Sequence, residues 1–347
     1  MADSGAGERD GPVVAAGRRS SGACFTGRHV GKVMGVMTVD RDFQAILDVI
    51  NAMPPTDFSR PPADLAQEMR SAPVMIPPLR NPVSVEVRKV PAGDGHAVPV
   101  RIYRPSSPRP HAVLISMHGG GWVRGSLDAD EFRCHLIAHD SGCAVVSVDY
   151  RLAPEYPFPV PLEDCLAVTE WVAAQAAALG FDPDRIGIAG DSAGGNLATA
   201  VAMIARDRGG PDLQCQILLY PVCDHDFDRP SYLENAQGKL LTRAHMMWFW
   251  DQYAGQADRN QAHLSPLRAD DLRGLPPTLL ITVEHDPLRD EGELYASRLR
   301  EAGNQVESLR MDGLIHAFQS VAVQHPRSIE SLKIVTDFAK RHLGHPA

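Results

Sequence analysis

Apolar residues recur along this chain with two different periods. Longer stretches with apolar residues three and four positions apart predict helices at residues 162–179, 197–206, 291–301 and 328–342. Short runs rich in β-branched residues predict eight strands, which are residues 83–87, 98–103, 112–117, 144–148, 185–189, 216–220, 278–283 and 306–310. Because strands and helices alternate, we expect an α/β fold whose mostly parallel eight-stranded sheet is covered by helices.

The remaining segments divide the chain into regions. Residues 1–37 are rich in Gly, Ser, Ala and Arg without a period, which predicts a flexible N-terminal tail. Residues 38–80 contain an amphipathic helix that starts near Thr38 and a shorter helix at residues 63–69. The main domain then spans residues 81–347, and it carries a long insertion at about residues 222–264.

An aromatic and Met-rich stretch, residues 245–250, lies within this insertion. Two interpretations have equal weight. The stretch packs over a pocket, or it is a helix buried against the sheet domain.

Composition and charge narrow the classes of protein. The 347 residues are 44% hydrophobic and 22% charged, which is typical of a globular chain. The formal net charge of −9 disfavours nucleic acid as a partner. We expect a soluble, cytoplasmic protein without a membrane anchor, because we find no signal peptide and no run of about 18 apolar residues. The six cysteines form no C-x-x-C pair, so we expect reduced, buried thiols.

The strongest local signal is a G-x-S-x-G motif formed by Gly190, Asp191, Ser192, Ala193 and Gly194. It follows a predicted strand and opens a predicted helix, which is the setting of a nucleophile elbow. The helix N-terminus directs backbone N–H groups and a partial positive charge toward a developing oxyanion. Ser192 is therefore a candidate nucleophile.

A second motif, His118 followed by Gly119, Gly120 and Gly121, ends the strand at residues 112–117. Three glycines leave N–H groups uncovered by side chains, which is what an oxyanion hole requires. A nucleotide-binding loop is disfavoured, because Arg124 occupies the position of the third glycine of G-x-G-x-x-G and no Lys-Ser/Thr pair follows.

A serine hydroxyl needs a general base and a carboxylate that orients the base. In the chain order Ser, Asp/Glu, His, we expect the carboxylate to follow Ser192 and the histidine to follow the carboxylate. The candidate acids are Glu284, Asp286 and Asp290, and we favour Asp286 because it follows the strand at residues 278–283 directly. His316 is the candidate base, since it lies between the last strand and the terminal helix.

Six segments together resemble the hormone-sensitive-lipase-like (bacterial family IV) carboxylesterases of the α/β-hydrolase superfamily. They are HGGGW at 118–122, YRLAPE at 150–155, GDSAGGNLA at 190–198, SPL at 265–267, DPLRDEG at 286–292 and HAF at 316–318. The resemblance implies an α/β-hydrolase fold and the triad Ser192, Asp286 and His316. It also implies oxyanion donors at Gly119, Gly120 and Ala193, and a helical cap made of residues 38–80 and the insertion.

Ala317 departs from the family, in which Gly is common after the histidine. The cap is expected to limit the length of the acyl chain, so we expect short- to medium-chain esters as substrates. We expect no cofactor, a small-molecule ester as partner, and a homodimer.

Two other groups of residues resemble metal-binding motifs, but each lacks a residue that its motif requires. His135 and His139 have the spacing of a zinc helix but lack the glutamate of a metalloprotease, and Asp224, Asp226 and Asp228 lack the glycine of a calcium loop. We therefore expect no metal. Two alternative functions stay open. The protein is a ligand-binding receptor on the same fold, or it is an amide hydrolase or acyltransferase with the same triad.

Overall fold

The computed structural model describes residues 38–74, 76–79 and 82–344. The tail predicted for residues 1–37 lies outside this part of the chain.

All eight predicted strands are present, in one sheet with the order β1-β2-β4-β3-β5-β6-β7-β8. Strand β2 pairs antiparallel with β1 and β4, and the other pairs are parallel. The strands are β1 (Val83–Pro91), β2 (Ala97–Pro105), β3 (His111–Met117), β4 (Ala144–Val148), β5 (Phe181–Asp191), β6 (Leu213–Leu219), β7 (Thr278–His285) and β8 (Val306–Ile315). The predicted fold class, a mostly parallel sheet in an α/β-hydrolase fold, is confirmed.

Ten α-helices are described in residues 38–344, and helices pack against the sheet in two separate core clusters. They are α1 (Arg41–Asn51), α2 (Pro62–Arg70), α3 (Glu131–Ser141), α4 (Val160–Leu179), α5 (Ala193–Arg208), α6 (Pro230–Glu234), α7 (Arg243–Ala254), α8 (Arg289–Glu301), α9 (Phe318–Val321) and α10 (Pro326–Leu343). The six helices predicted from periodicity are present, within a few residues of their predicted bounds.

Helix α3 shows why periodicity misses some helices. It buries apolar residues such as Ile137, but also the charged Arg133 and the polar His135. Because polar side chains are buried together with apolar ones, no apolar stripe marks this helix in the sequence.

The register of the central strands places two motifs side by side. Met117, the last residue of β3, lies opposite Gly190 near the end of β5. Both strands run in the same direction, so the segments that follow them leave the sheet at the same edge. The glycine loop after β3 and the serine turn after β5 are neighbours for this reason.

Among the described residues, no helix is long and apolar enough to span a lipid bilayer.

Candidate active site

Ser192 lies on a strained turn between β5 and α5. Its backbone has φ 53° and ψ −120°, a conformation that residues other than glycine rarely adopt. A Cβ atom placed on Gly190 would lie 2.2 Å from the carbonyl oxygen of Gly194, and one on Gly194 would lie 2.0 Å from the carbonyl oxygen of Met117. Only glycine allows this close approach, which explains the spacing of the motif.

His316 connects Ser192 to a buried carboxylate. Its Nε2 atom lies 2.9 Å from Ser192 Oγ, and its Nδ1 atom lies 2.7 Å from Asp286 Oδ2. All three side chains are buried, and Asp286 is fully buried. The second oxygen of Asp286 accepts a hydrogen bond from the Leu288 N–H at 2.9 Å, which holds the carboxylate in one orientation. The three residues therefore have the connectivity of a nucleophile, a base and an orienting acid.

The structure brings only one of the three candidate acids to His316. Glu284 accepts a hydrogen bond from the Gly313 N–H instead. Asp290 accepts one from the Ser231 N–H at 2.8 Å and forms an ion pair with Arg289. Both carboxylates hold neighbouring loops, and Asp286 alone contacts the imidazole.

The glycine loop requires a correction to the predicted oxyanion donors. The Gly119 N–H donates to Asp191 Oδ1 at 2.8 Å, so this N–H is engaged inside the protein and the prediction for Gly119 is wrong. Within the described residues, the N–H groups of Gly120, Gly121 and Ala193 donate to no protein group. These three N–H groups are free to donate hydrogen bonds to an oxyanion.

A buried ion-pair network stabilises the glycine loop through its hydrogen bond to Gly119. Asp191 Oδ1 also accepts a hydrogen bond from Arg133 Nη2 at 2.6 Å, and the same Arg133 nitrogen pairs with Asp130 at 2.7 Å. All three side chains are buried. The network fixes the Asp191 carboxylate, which in turn fixes Gly119. Sequence reasoning missed Arg133, because it stands outside every motif and no signal in the sequence distinguishes it.

His118 supports the loop from the side. Its Nδ1 atom lies 2.9 Å from the carbonyl oxygen of Gly119, and its ring stacks on Tyr150 with centroids 4.3 Å apart. The Tyr150 hydroxyl donates to the carbonyl oxygen of His118 at 2.7 Å. His118 therefore has a structural contact on each side and none with Ser192.

Helix α7 covers the glycine loop with aromatic side chains. A Cβ atom on Gly121 would lie 2.5 Å from the Phe249 ring, so this ring sits directly against the loop. Trp122 stacks on Tyr253 of the same helix with centroids 4.2 Å apart. The aromatic stretch is thus a helix that is buried and that also lies over the motif, and the two interpretations of it are not exclusive.

His245 joins α7 to the segment between α1 and α2. Its Nδ1 atom lies 2.6 Å from Thr242 Oγ1, its Nε2 atom 3.4 Å from Thr56 Oγ1, and its ring packs edge-on against Phe58. Burial, with a smaller contribution from the positive charge of Arg124, lowers the pKa of His245 to about 4. His245 is therefore neutral at physiological pH.

The residues weighed for metals have other contacts. Asp224 is held by Arg229 at 2.5 Å and by Arg268 at 2.6 Å, so its charge is compensated by two guanidinium groups. His139 pairs with Asp140.

Comparisons with known proteins agree with this geometry. A family model described as alpha/beta hydrolase fold matches residues 114–320. Carboxylesterase NlhH of Mycobacterium tuberculosis is 40% identical over 271 residues, which are 76% of this chain and 83% of the relative. Ethyl acetate hydrolase of Pseudomonas putida is 39% identical over 255 residues, 72% of this chain and 80% of the relative.

Solved structures agree as well. A thermostable esterase from Pseudomonas putida ECU1011 superposes with a TM-score of 0.83 at 35% identity, covering 89% of this chain and 99% of the other. The thermophilic carboxylesterase EstE1 gives a TM-score of 0.77 at 35% identity, covering 83% of this chain and 99% of the other.

Fold, site and comparisons together define a class of serine hydrolases. The chain belongs to the α/β-hydrolase family, in its hormone-sensitive-lipase-like branch, and it is a carboxylic ester hydrolase.

Proposed function

We propose that this esterase cleaves short- to medium-chain carboxylic esters through an acyl-enzyme, with Ser192 as the nucleophile. His316 takes the serine proton and passes it to the leaving alcohol, and Asp286 holds the imidazole tautomer and stabilises the imidazolium. A water molecule activated by His316 then hydrolyses the acyl-enzyme. The observation that carries this proposal is the pair of contacts at His316, 2.9 Å to Ser192 and 2.7 Å to Asp286.

The oxyanion is assigned to the N–H groups of Gly120, Gly121 and Ala193. The free N–H of Ala193 at the start of α5 supports this assignment, since the helix N-terminus adds a partial positive charge there. Gly119, whose N–H is held by Asp191, is assigned a positioning role instead.

We assign the cap to residues 38–80 together with the insertion at about 222–264, and the catalytic domain to residues 81–347. The contacts of His245 with Thr56 and Phe58 link the two cap segments and support this division. Because Phe249 already covers Gly121, the space for an acyl chain is limited. One relative is named an ethyl acetate hydrolase, which agrees with small acyl groups.

A series of p-nitrophenyl esters from acetate to palmitate tests the chain length. Each added methylene is expected to contribute up to about 0.8 kcal/mol of binding until the pocket is full. We expect kcat/KM to be highest between about two and eight carbons, and to fall beyond that length. The best turnover on palmitate, or a jump in rate when micelles form, would mark a lipase and contradict the proposal.

Ser192→Ala tests the nucleophile. We expect kcat to fall by about 10⁶-fold, the size of effect known for such a serine in an unrelated hydrolase. Ser107→Ala, on an exposed loop before β3, is the matched control and is expected to keep full activity. Retained turnover within tenfold of the unmodified enzyme in Ser192→Ala would overturn the assignment.

We also propose a homodimer in the cytoplasm. Strand β8 is the last strand of the sheet and leaves Leu309 and Arg310 exposed, so its free edge can pair with a second copy. The five cysteines in the described residues are buried free thiols, which suits a reducing compartment. Light scattering after size exclusion, with Leu309→Asp as the disrupting variant, tests the dimer, and cell fractionation tests the compartment.

A further inference from the structure

Arg124 lies between the glycine loop and the cap helix. Its N–H donates to the carbonyl oxygen of Gly120 at 3.1 Å, which closes the turn that follows the loop. A Cβ atom on Gly120 would lie 3.1 Å from Arg124 Cγ, so the side chain begins beside a proposed oxyanion donor. Its charge also acts on His245 of α7. Arg124 is thus placed beside Gly120 of the glycine loop, within range of His245 in α7.

Among the described residues, the Arg124 guanidinium has no hydrogen-bond or ion-pair partner. In the part of the chain that the structure describes, three arginines have a guanidinium without a hydrogen bond, ion pair or ring contact, and they are Arg41, Arg109 and Arg124. Arg41 begins the exposed face of α1, and Arg109 lies on the surface loop before β3. Arg124 alone of these three stands at the proposed active site.

Arg124 is surrounded by protein and still reaches solvent. Arg124 is exposed to solvent, yet the protein atoms around its guanidinium lower its pKa by desolvation, and no carboxylate contributes to that shift. Both observations agree when many protein atoms lie around the side chain while water still reaches it. Such an arginine lacks part of its hydration and has no anion to replace it.

The neighbours of Arg124 cannot supply that anion. His245, on which the charge of Arg124 acts, is neutral at physiological pH, and Phe249 places an apolar ring against Gly121 of the same loop. A cation among neutral and apolar groups favours an anionic ligand, and a planar guanidinium matches a carboxylate with two parallel hydrogen bonds.

We propose that Arg124 recognises a carboxylate on the substrate, so that this enzyme prefers esters that carry a second, anionic group a few bonds from the scissile carbonyl. This inference rests on the ester hydrolysis proposed above and specifies its substrate class. The carboxylate can belong to the acyl side, as in a monoester of a dicarboxylic acid, or to the alcohol side, as in an acylated hydroxy acid.

Matched ester pairs test the proposal. On the acyl side, p-nitrophenyl hydrogen glutarate is compared with methyl p-nitrophenyl glutarate, which has the same chain and no charge. On the alcohol side, 4-acetoxybutyrate is compared with butyl acetate in a pH-stat. The quantity measured is the ratio of kcat/KM for the anionic ester to that for its neutral partner, with the Ser192→Ala rate subtracted as background.

The variants are Arg124→Met, Arg124→Lys and the control Arg109→Met, which removes the same charge from a distant surface loop. We expect Arg124→Met to lower the ratio at least tenfold in one of the two pairs, mainly through KM, and Arg124→Lys to restore part of it. Arg109→Met is expected to keep the ratio within twofold. The pair that responds identifies the side of the ester that carries the carboxylate.

Two outcomes overturn the proposal: a ratio in Arg124→Met within twofold of the unmodified enzyme for both pairs, or an equal fall in Arg109→Met. A binding measurement separates this failure from that of the proposed function. Methyl hydrogen glutarate is titrated calorimetrically into the Ser192→Ala protein with and without Arg124→Met. Weaker binding in the double variant supports carboxylate recognition even where no ester is turned over, and equal binding contradicts it.

Discussion

The serine turn and helix α7, which we assign to the cap, both contact the glycine loop, but backbone atoms make the contacts at the turn and side chains make them at the helix. At the serine turn, backbone meets backbone, as where Gly194 lies against the carbonyl oxygen of Met117. At α7, side chains make the contacts, as where Phe249 covers Gly121 and Tyr253 stacks on Trp122. Backbone contacts allow one residue type, whereas side-chain contacts can be exchanged. The first region is suited to constant chemistry and the second to substrate selection.

After the loss of activity expected for Ser192→Ala, the largest effect is expected at Asp286, the carboxylate that contacts His316. In Asp286→Asn, the amide keeps a hydrogen bond to His316 but holds the imidazole in the wrong tautomer. We therefore expect kcat to fall by about 10⁴-fold. Steady-state kinetics on a p-nitrophenyl ester measures it. Asp290→Asn is the control, and a larger loss there than at Asp286 would move the acid role to Asp290.

A smaller effect, on stability, is expected at the backbone contact itself. Gly194→Ala places a methyl group 2.0 Å from the Met117 carbonyl oxygen, and overpacking of this kind is expected to cost about 3 kcal/mol. Urea unfolding measures the free energy. Gly93→Ala, which has no atom within 4 Å of the new Cβ, is the matched control and is expected to be neutral. Equal stabilities of the two variants would show that the serine turn adjusts to the added methyl group without a cost in free energy.

The cap is expected to respond to pH through His245. Its pKa is lowered to about 4 in the folded chain from 6.5 in the unfolded chain, so the unfolded state binds more protons between these values. The contribution to stability is therefore complete above about pH 6.5 and is lost as the pH falls toward 4. Discounted for partial exposure, the loss between pH 7 and pH 4.5 is about 1 to 2 kcal/mol.

His245→Gln removes this titration. Urea unfolding of the variant at pH 7 and pH 4.5 is expected to show a smaller difference between the two pH values than the unmodified protein shows. Parallel pH dependence in the two proteins would contradict a half-buried, neutral histidine at position 245.

The smallest effect is expected beside the base, where Ala317 has φ 56°. The left-handed conformation costs an alanine more than a glycine, so Ala317→Gly is expected to stabilise the protein by about 0.5 to 1 kcal/mol after the greater entropy of the unfolded glycine is included. Ala302→Gly, at φ −76°, is the control and is expected to destabilise by a similar amount. A loss of stability in Ala317→Gly would mean that the packing contacts of the Ala317 methyl group outweigh the backbone strain.

Much of the fold could be predicted from the sequence, because strands such as β3 and β4 are buried throughout and their apolar runs are unambiguous. The serine turn was also predictable, because close backbone contacts permit only glycine at positions 190 and 194. This restriction produces the G-x-S-x-G motif, which can be recognised in the sequence. Helices such as α3 were not, because tertiary burial on several sides replaces the amphipathic stripe.

The sequence by itself determined the order of strands along the chain, the serine turn and the candidates for acid and base. Only the tertiary structure decided that Asp286 contacts His316 and that Asp191 accepts hydrogen bonds from both the Gly119 N–H and Arg133. It also decided that the Arg124 guanidinium, in the described part of the chain, has no hydrogen-bond or ion-pair partner. The physical reason is the separation along the sequence of the residues that interact. Steric limits within a turn act between residues close in sequence, whereas hydrogen bonds and charges join groups such as Gly119 and Asp191, 72 positions apart, that only the folded chain brings together.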